Sequence, residues 1–168
     1  MLAWLPFIIS SIGTGIGLIY LSRQSDSLLI KLKCCALLGF IWVLTGICYT
    51  PTAYNFSGTE IIHYLVFGPV KLTLVPFQHL DIEFWLNVLL TMPLGFLIIW
   101  NFPHWSWRRL IFIGLLTGLT LETGQFILDW LVQINRWVEV DDVLTNCAGV
   151  IIGGAFSYWL NRQTWFKW

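Results

Sequence analysis

The stretch Leu110–Leu128, LIFIGLLTGLTLETGQFIL, decides how this chain folds. It is long enough to cross the roughly 30 Å hydrocarbon core of a bilayer as a helix, and Glu122 is its only charge. Placing a carboxylate at membrane depth is costly. Such residues are therefore rare, face a bundle interior or a polar cavity, and mark candidate functional sites.

The composition around this stretch is equally apolar. Of 168 residues, 57% are hydrophobic and 11% charged, with a mean hydropathy of +0.75; in a soluble domain about a quarter of residues are charged. The chain reads as one membrane domain over residues 1–168, an all-α, polytopic transmembrane helix bundle. About five spans are expected, at Leu2–Leu21, Cys34–Thr50, Phe84–Trp100, Leu110–Leu128 and Val143–Leu160. Many of the 11 Trp fall near the ends of these runs, where amphipathic rings gather at the bilayer interface. The stretch Ile61–Pro76 is apolar too, but His63, Gly68-Pro69, Lys71 and Pro76 interrupt it. It reads as an interfacial or re-entrant segment rather than a sixth span. Span one lacks a basic start and its positive flank follows it, so it reads as a retained helix rather than a signal peptide.

Basic residues set the orientation. Arg23, Lys31, Lys33, Arg108, Arg109, Arg162 and Lys167 fall on one side, and only Lys71 and Arg136 on the other. Positive loops stay in the cytoplasm, which places the N-terminus outside and the C-terminus inside. Acidic residues mirror this: Glu60, Asp81, Glu83, Asp129, Glu139, Asp141 and Asp142 lie in the outer segments.

With that orientation, unusual polar residues share one depth. Glu122 sits roughly 9 Å from the outer end of span four at 1.5 Å per residue. Gln125, three residues on, shares its face. Asn87 lies about one turn into span three. Asn146 lies about one turn into span five, on the face of Asp142. Arg136, in the short outer loop, is the basic residue nearest these acids. Asn87, Glu122, Gln125, Arg136, Asp141, Asp142 and Asn146 form the candidate site, read either as a polar pocket or as hydrogen-bonding glue between helices.

Small residues support a packed bundle. Gly114 with Gly118, and Gly149 with Gly153, are G-x-x-x-G pairs that allow close backbone approach, and they suggest that spans four and five form an antiparallel pair. Gly13, Gly15 and Gly17 look like a further close-packing surface in span one. Pro93 should kink span three and free a carbonyl near Leu89.

Other chemistry finds little support. Glu60-x-x-His63 has ligand-like spacing, with His79, Asp81 and Glu83 nearby, but no second Glu-x-x-His completes a di-metal site, and neither a metal nor a cofactor is expected. No nucleophile elbow, phosphate-binding loop or dinucleotide fingerprint occurs, and no basic stripe suits nucleic acid. The four Cys are spaced as small apolar helix residues, although Cys48 and Cys147 both lie toward the outer side.

The polar residues also fall in a recognisable order. Leu74-Val75-Pro76-Phe77, then Asn87 followed by Val88-Leu89-Leu90-Thr91-Met92-Pro93-Leu94-Gly95-Phe96, resembles the signature of VanZ-like proteins. Glu122-x-x-Gln125, Arg136 and Asp141-Asp142-Val143-Leu144-x-Asn146-x-x-Gly149-x-x-x-Gly153 continue it, so the resemblance covers about residues 74–154. Glu139 stands where that family usually has an Asp. The resemblance implies a protein of bacterial, chiefly Gram-positive, envelopes, linked through the family's namesake to teicoplanin resistance.

Two functions are expected to compete. One is a non-enzymatic pocket for an amphiphile of the outer leaflet: a membrane lipid, a lipid-linked cell-wall component or a lipoglycopeptide antibiotic. The other is an intramembrane enzyme acting on a lipid headgroup, with Glu122 or Asp142 as general base and Arg136 holding a phosphate. The Gly-rich first span leaves room for a third role, as a structural subunit of a membrane complex. The oligomeric state stays open.

Overall fold

A computed structural model describes residues 2–52, 63–78 and 82–163. After a 3-10 turn at Leu2–Trp4, five long helices follow: α1 (Leu5–Arg23), α2 (Leu28–Tyr49), α3 (Ile82–Asn101), α4 (Trp107–Val132) and α5 (Val140–Arg162). All five are long and apolar enough to cross a membrane. The expected spans are therefore present, but most of the helices outrun the apolar runs. Hydropathy falls wherever a charge appears, whereas backbone hydrogen bonding continues through Lys31 and Lys33 in α2, Arg108 and Arg109 in α4, and Asp141 and Asp142 in α5. The Ser27 hydroxyl accepts from the Ile30 N–H and starts α2, while the two acids in the first turn of α5 suit the positive end of the helix dipole.

The segment expected at the interface is a β-hairpin. Strands β1 (Leu65–Phe67) and β2 (Val70–Thr73) pair antiparallel, and β2 pairs in parallel with β3 (Trp137–Glu139) from the α4–α5 connection, in the order β1-β2-β3. Strands of three or four residues are too short to span a bilayer. The hairpin closes on Gly68-Pro69, with Gly68 at φ 59°, a left-handed conformation that two-residue hairpin turns need and glycine adopts without strain. Phe67 stacks on Phe126 at 6.2 Å and tilts over Trp130 at 5.5 Å, which seats the sheet on the last turns of α4. Of the earlier candidate metal ligands, Glu60, His79 and Asp81 lie outside the described residues. Among the described residues no group of three or more His, Cys, Asp or Glu could hold a metal ion.

Helix α5 is the centre of the bundle, packing most extensively on α3 and next on α4. The pairing expected of α4 and α5 is present, but the two glycine pairs serve different interfaces. Gly114 and Gly118 face Cys147 and Val143 of α5, whereas Gly149 and Gly153 face Val88, Thr91 and Met92 of α3. A Cβ at Gly149 or Gly153 would run into the carbonyl oxygens of Val88 or Met92, and at Gly149 into the Thr91 hydroxyl as well, so there the α5 backbone lies directly against α3. Pro93 lies inside α3, which continues as one helix through it.

The surface expected in α1 is not a close-packed one. Nothing lies within 4 Å of a Cβ built at Gly13 or Gly15, and only Gly17 meets a side chain, that of Leu38. Helix α1 has no buried residue and rests on α2, tied by Trp42 Nε1 donating to Ser11 Oγ at 2.9 Å. All four Cys are free. The buried core runs through Leu44, Leu94, Ile98, Ile99, Leu110, Leu121 and Val150, leaving many outer apolar side chains exposed for lipid.

Candidate functional site

At the end of the bundle that carries the sheet, the polar residues singled out along the chain are held one by one, mostly by backbone. Helix α4 runs ten residues past Glu122 before the left-handed Gln133 ends it, about 15 Å at 1.5 Å per residue. Glu122 is therefore deeper along its helix than the hydropathy boundary suggests. The chain then doubles back: Asp129 accepts the Asn135 N–H at 2.6 Å, and β3 descends until the Glu139 N–H donates to the Glu122 carboxylate at 3.0 Å. Glu122 is 5% exposed, so that backbone donor gives a buried carboxylate the partner it requires.

Residues far apart in sequence pair across α3 and α5. Asn87 Nδ2 donates to Asp142 at 2.6 Å. The Phe77 N–H donates to both oxygens of Asp141, at 2.9 and 3.1 Å. Phe77 has φ 60°, an uncommon conformation for a bulky residue, and Asp141 holds it there. Thr91 Oγ1 donates to the Asn146 carbonyl at 2.9 Å; Thr91 is four residues from Asn87, a spacing that could have marked it in the sequence.

Arg136 does not simply neutralise the acids. Its guanidinium donates to the carbonyls of Ile47 and Thr50, satisfying the C-terminal end of α2, where helix carbonyls lack intrahelical partners. Burial lowers its pKa from the usual arginine range, and the nearby acids Glu83 and Glu122 oppose that shift.

These elements enclose a cavity of about 590 Å³. Of the expected site residues, Asn87, Gln125, Arg136, Asp141 and Asp142 line it, whereas Glu122 and Asn146 do not. The wall also takes residues that the sequence did not assign to the site, among them Thr73 of β2, Glu83 of α3 and Glu139 of β3. Glu83 was legible as an outer acid near a weak metal-ligand spacing and Glu139 as an outer acid at a position of the family pattern, but neither was placed in the site; Thr73 carried no signal, because β2 is too short to show a period. Gln125 Nε2 faces the Cys48 carbonyl at 3.4 Å. Three buried polar atoms here, Thr73 Oγ1, Gln125 Oε1 and Asn146 Oδ1, have no hydrogen-bond partner among the described residues. Exposed apolar side chains complete the rim: Ile47 on α2, and Leu86 and Leu89 on α3.

A family model described as VanZ/LLP1 matches residues 34–161 of the chain. No curated protein and no solved structure matches.

Proposed function

The chain belongs to the VanZ/LLP1 family, and from that premise we propose that this multi-pass membrane protein holds an amphiphile of the bacterial cell envelope in the cavity at the sheet end of the bundle. The ligand is a membrane lipid, a lipid-linked cell-wall component or a lipoglycopeptide. On this reading the protein sits in the cell membrane of a Gram-positive envelope with the cavity on the outer side, as the distribution of Lys and Arg suggests, and contributes to resistance to teicoplanin-type antibiotics. The supporting observation is the two-sided wall. Asn87, Gln125, Arg136 and Asp142 offer polar contacts, while Ile47, Leu86 and Leu89 border the cavity with apolar side chains exposed on membrane-length helices. A headgroup can enter while its tail stays in lipid, and the volume lies in the range of small-molecule sites.

The enzymatic alternative draws less support. Glu122, one of the two candidate bases, does not line the cavity and holds the Glu139 N–H. Arg136, the candidate phosphate clamp, donates to the Ile47 and Thr50 carbonyls. These arrangements suit positioning better than proton transfer.

Lipid mass spectrometry on protein purified in mild detergent tests the proposal. One headgroup class should co-purify with the wild type and be depleted in Asp142→Asn, which keeps an oxygen able to accept from Asn87. A folded wild-type protein that retains no lipid selectively would overturn the reading.

A further inference from the structure

We infer that the cavity takes a protonated amine, the ammonium end of an amphiphile; the inference rests on the binding reading above. Its wall is rich in acceptors. Among the described lining residues four are acidic, Glu83, Glu139, Asp141 and Asp142, and one, Arg136, is basic. Charge alone would not make a site, but two neutral groups leave room for a donor: the Gln125 amide oxygen can only accept, and the Thr73 hydroxyl can accept as well as donate. Thr73 and Gln125 are 4% and 7% exposed, both line the cavity, and Thr73 Oγ1 and Gln125 Oε1 have no partner among the described residues.

The orientation of the Gln125 amide is set by its surroundings. Its Nε2 faces the Cys48 carbonyl, and turning the amide over would set oxygen against oxygen. The group left over is thus an acceptor, and a buried acceptor without a donor is costly. An ammonium brings three donors and no acceptor, and its positive charge suits a wall in which acids outnumber bases among the described residues. A phosphate brings only acceptors and negative charge, and Arg136, the one base among the described lining residues, already donates to the Ile47 and Thr50 carbonyls. A divalent metal ion would need converging ligands, and among the described residues no such group exists.

The test uses the full-length protein in nanodiscs and native mass spectrometry. Three lipids with matched tails compete: phosphatidylethanolamine, its N-acetylated form and phosphatidylglycerol. Phosphatidylethanolamine should be retained roughly tenfold or more over both others, since one charge-assisted hydrogen bond corresponds to about that factor. Soluble ethanolamine is the fourth probe and separates the sources of the amine. If it fails to displace the lipid, the ligand is a lipid amine; if it displaces it, a free amine suffices; either result supports the inference. Thr73→Val, close to isosteric, should cut retention several-fold without lowering the unfolding temperature. Equal retention of all three lipids, abolished by Gln125→Met, would overturn the ammonium assignment and leave the amphiphile reading standing. Retention of none of the three lipids, or retention that Gln125→Met leaves unchanged, would overturn both. Varying the lipid rather than the protein keeps the result independent of whether a variant folds.

Discussion

Glu122 combines an ionisable carboxyl group and a hydrogen-bond acceptor, and the two can be separated. The carboxylate is buried and accepts the Glu139 N–H at 3.0 Å. Glu122→Gln keeps an oxygen in that place and should fold, whereas Glu122→Leu leaves a backbone donor buried without a partner, a loss of about 1–3 kcal/mol. Thermal unfolding in detergent should therefore rank wild type and Gln close together and Leu well below. If Gln is as unstable as Leu, the ionised carboxylate itself holds the sheet end of the bundle together. Asp141 and Asp142, adjacent in sequence, do different work: Asp141 fixes the left-handed Phe77 through its N–H, and Asp142 holds the Asn87 amide across the α3–α5 interface. The sequence marked both as a pair of outer acids. Their division of labour depends on which strand end and which helix lie opposite, and neither is encoded locally.

Among the elements, α5 is gripped from two sides, and its glycines state where. Gly149 and Gly153 lie against the α3 backbone, so Leu at either position must push α3 away, at a cost of about 3 kcal/mol or more, above the usual overpacking range because backbone cannot repack. Gly118→Leu should act similarly against Val143 of α5, while Gly13→Leu meets open space and should change the midpoint little. A detergent melting series decides this; a loss at Gly13 as large as that at Gly153 would mean that α1 packs against a surface formed only in the assembled protein. The G-x-x-x-G spacing made these positions visible in the sequence. It could not say which neighbour each pair meets, because spacing defines a face of a helix and not what lies against it. The hairpin was visible only as a broken apolar stretch, since its strands are short and stand by pairing with β3 and packing on Phe126 and Trp130.

Across the whole molecule, the N-termini of α1, α3 and α5 share one end with the C-termini of α2 and α4, the sheet and the cavity. Among the described residues the opposite end carries Arg23, Lys31, Lys33, Arg108, Arg109 and Arg162, against Lys71 and Arg136 at the cavity end. Single Cys introduced into a Cys-free background should thus react with an impermeant maleimide on intact cells when placed in the 133–136 turn, and stay protected at Arg108. The reverse pattern would put the cavity on the cytoplasmic side and remove the outer-leaflet ligand from consideration. The sequence by itself determined the five helices, the arrangement of charge at their ends and the residues of the family pattern, because apolar length and loop charge are properties of consecutive residues. Only the tertiary structure decided that Asn87 meets Asp142, that Phe77 meets Asp141, that Arg136 closes α2, and that Glu122 and Asn146 stay off the cavity wall. Those partners lie tens of residues apart, and nothing in a local stretch specifies which distant donor a buried acceptor will meet until the helices and the sheet have packed.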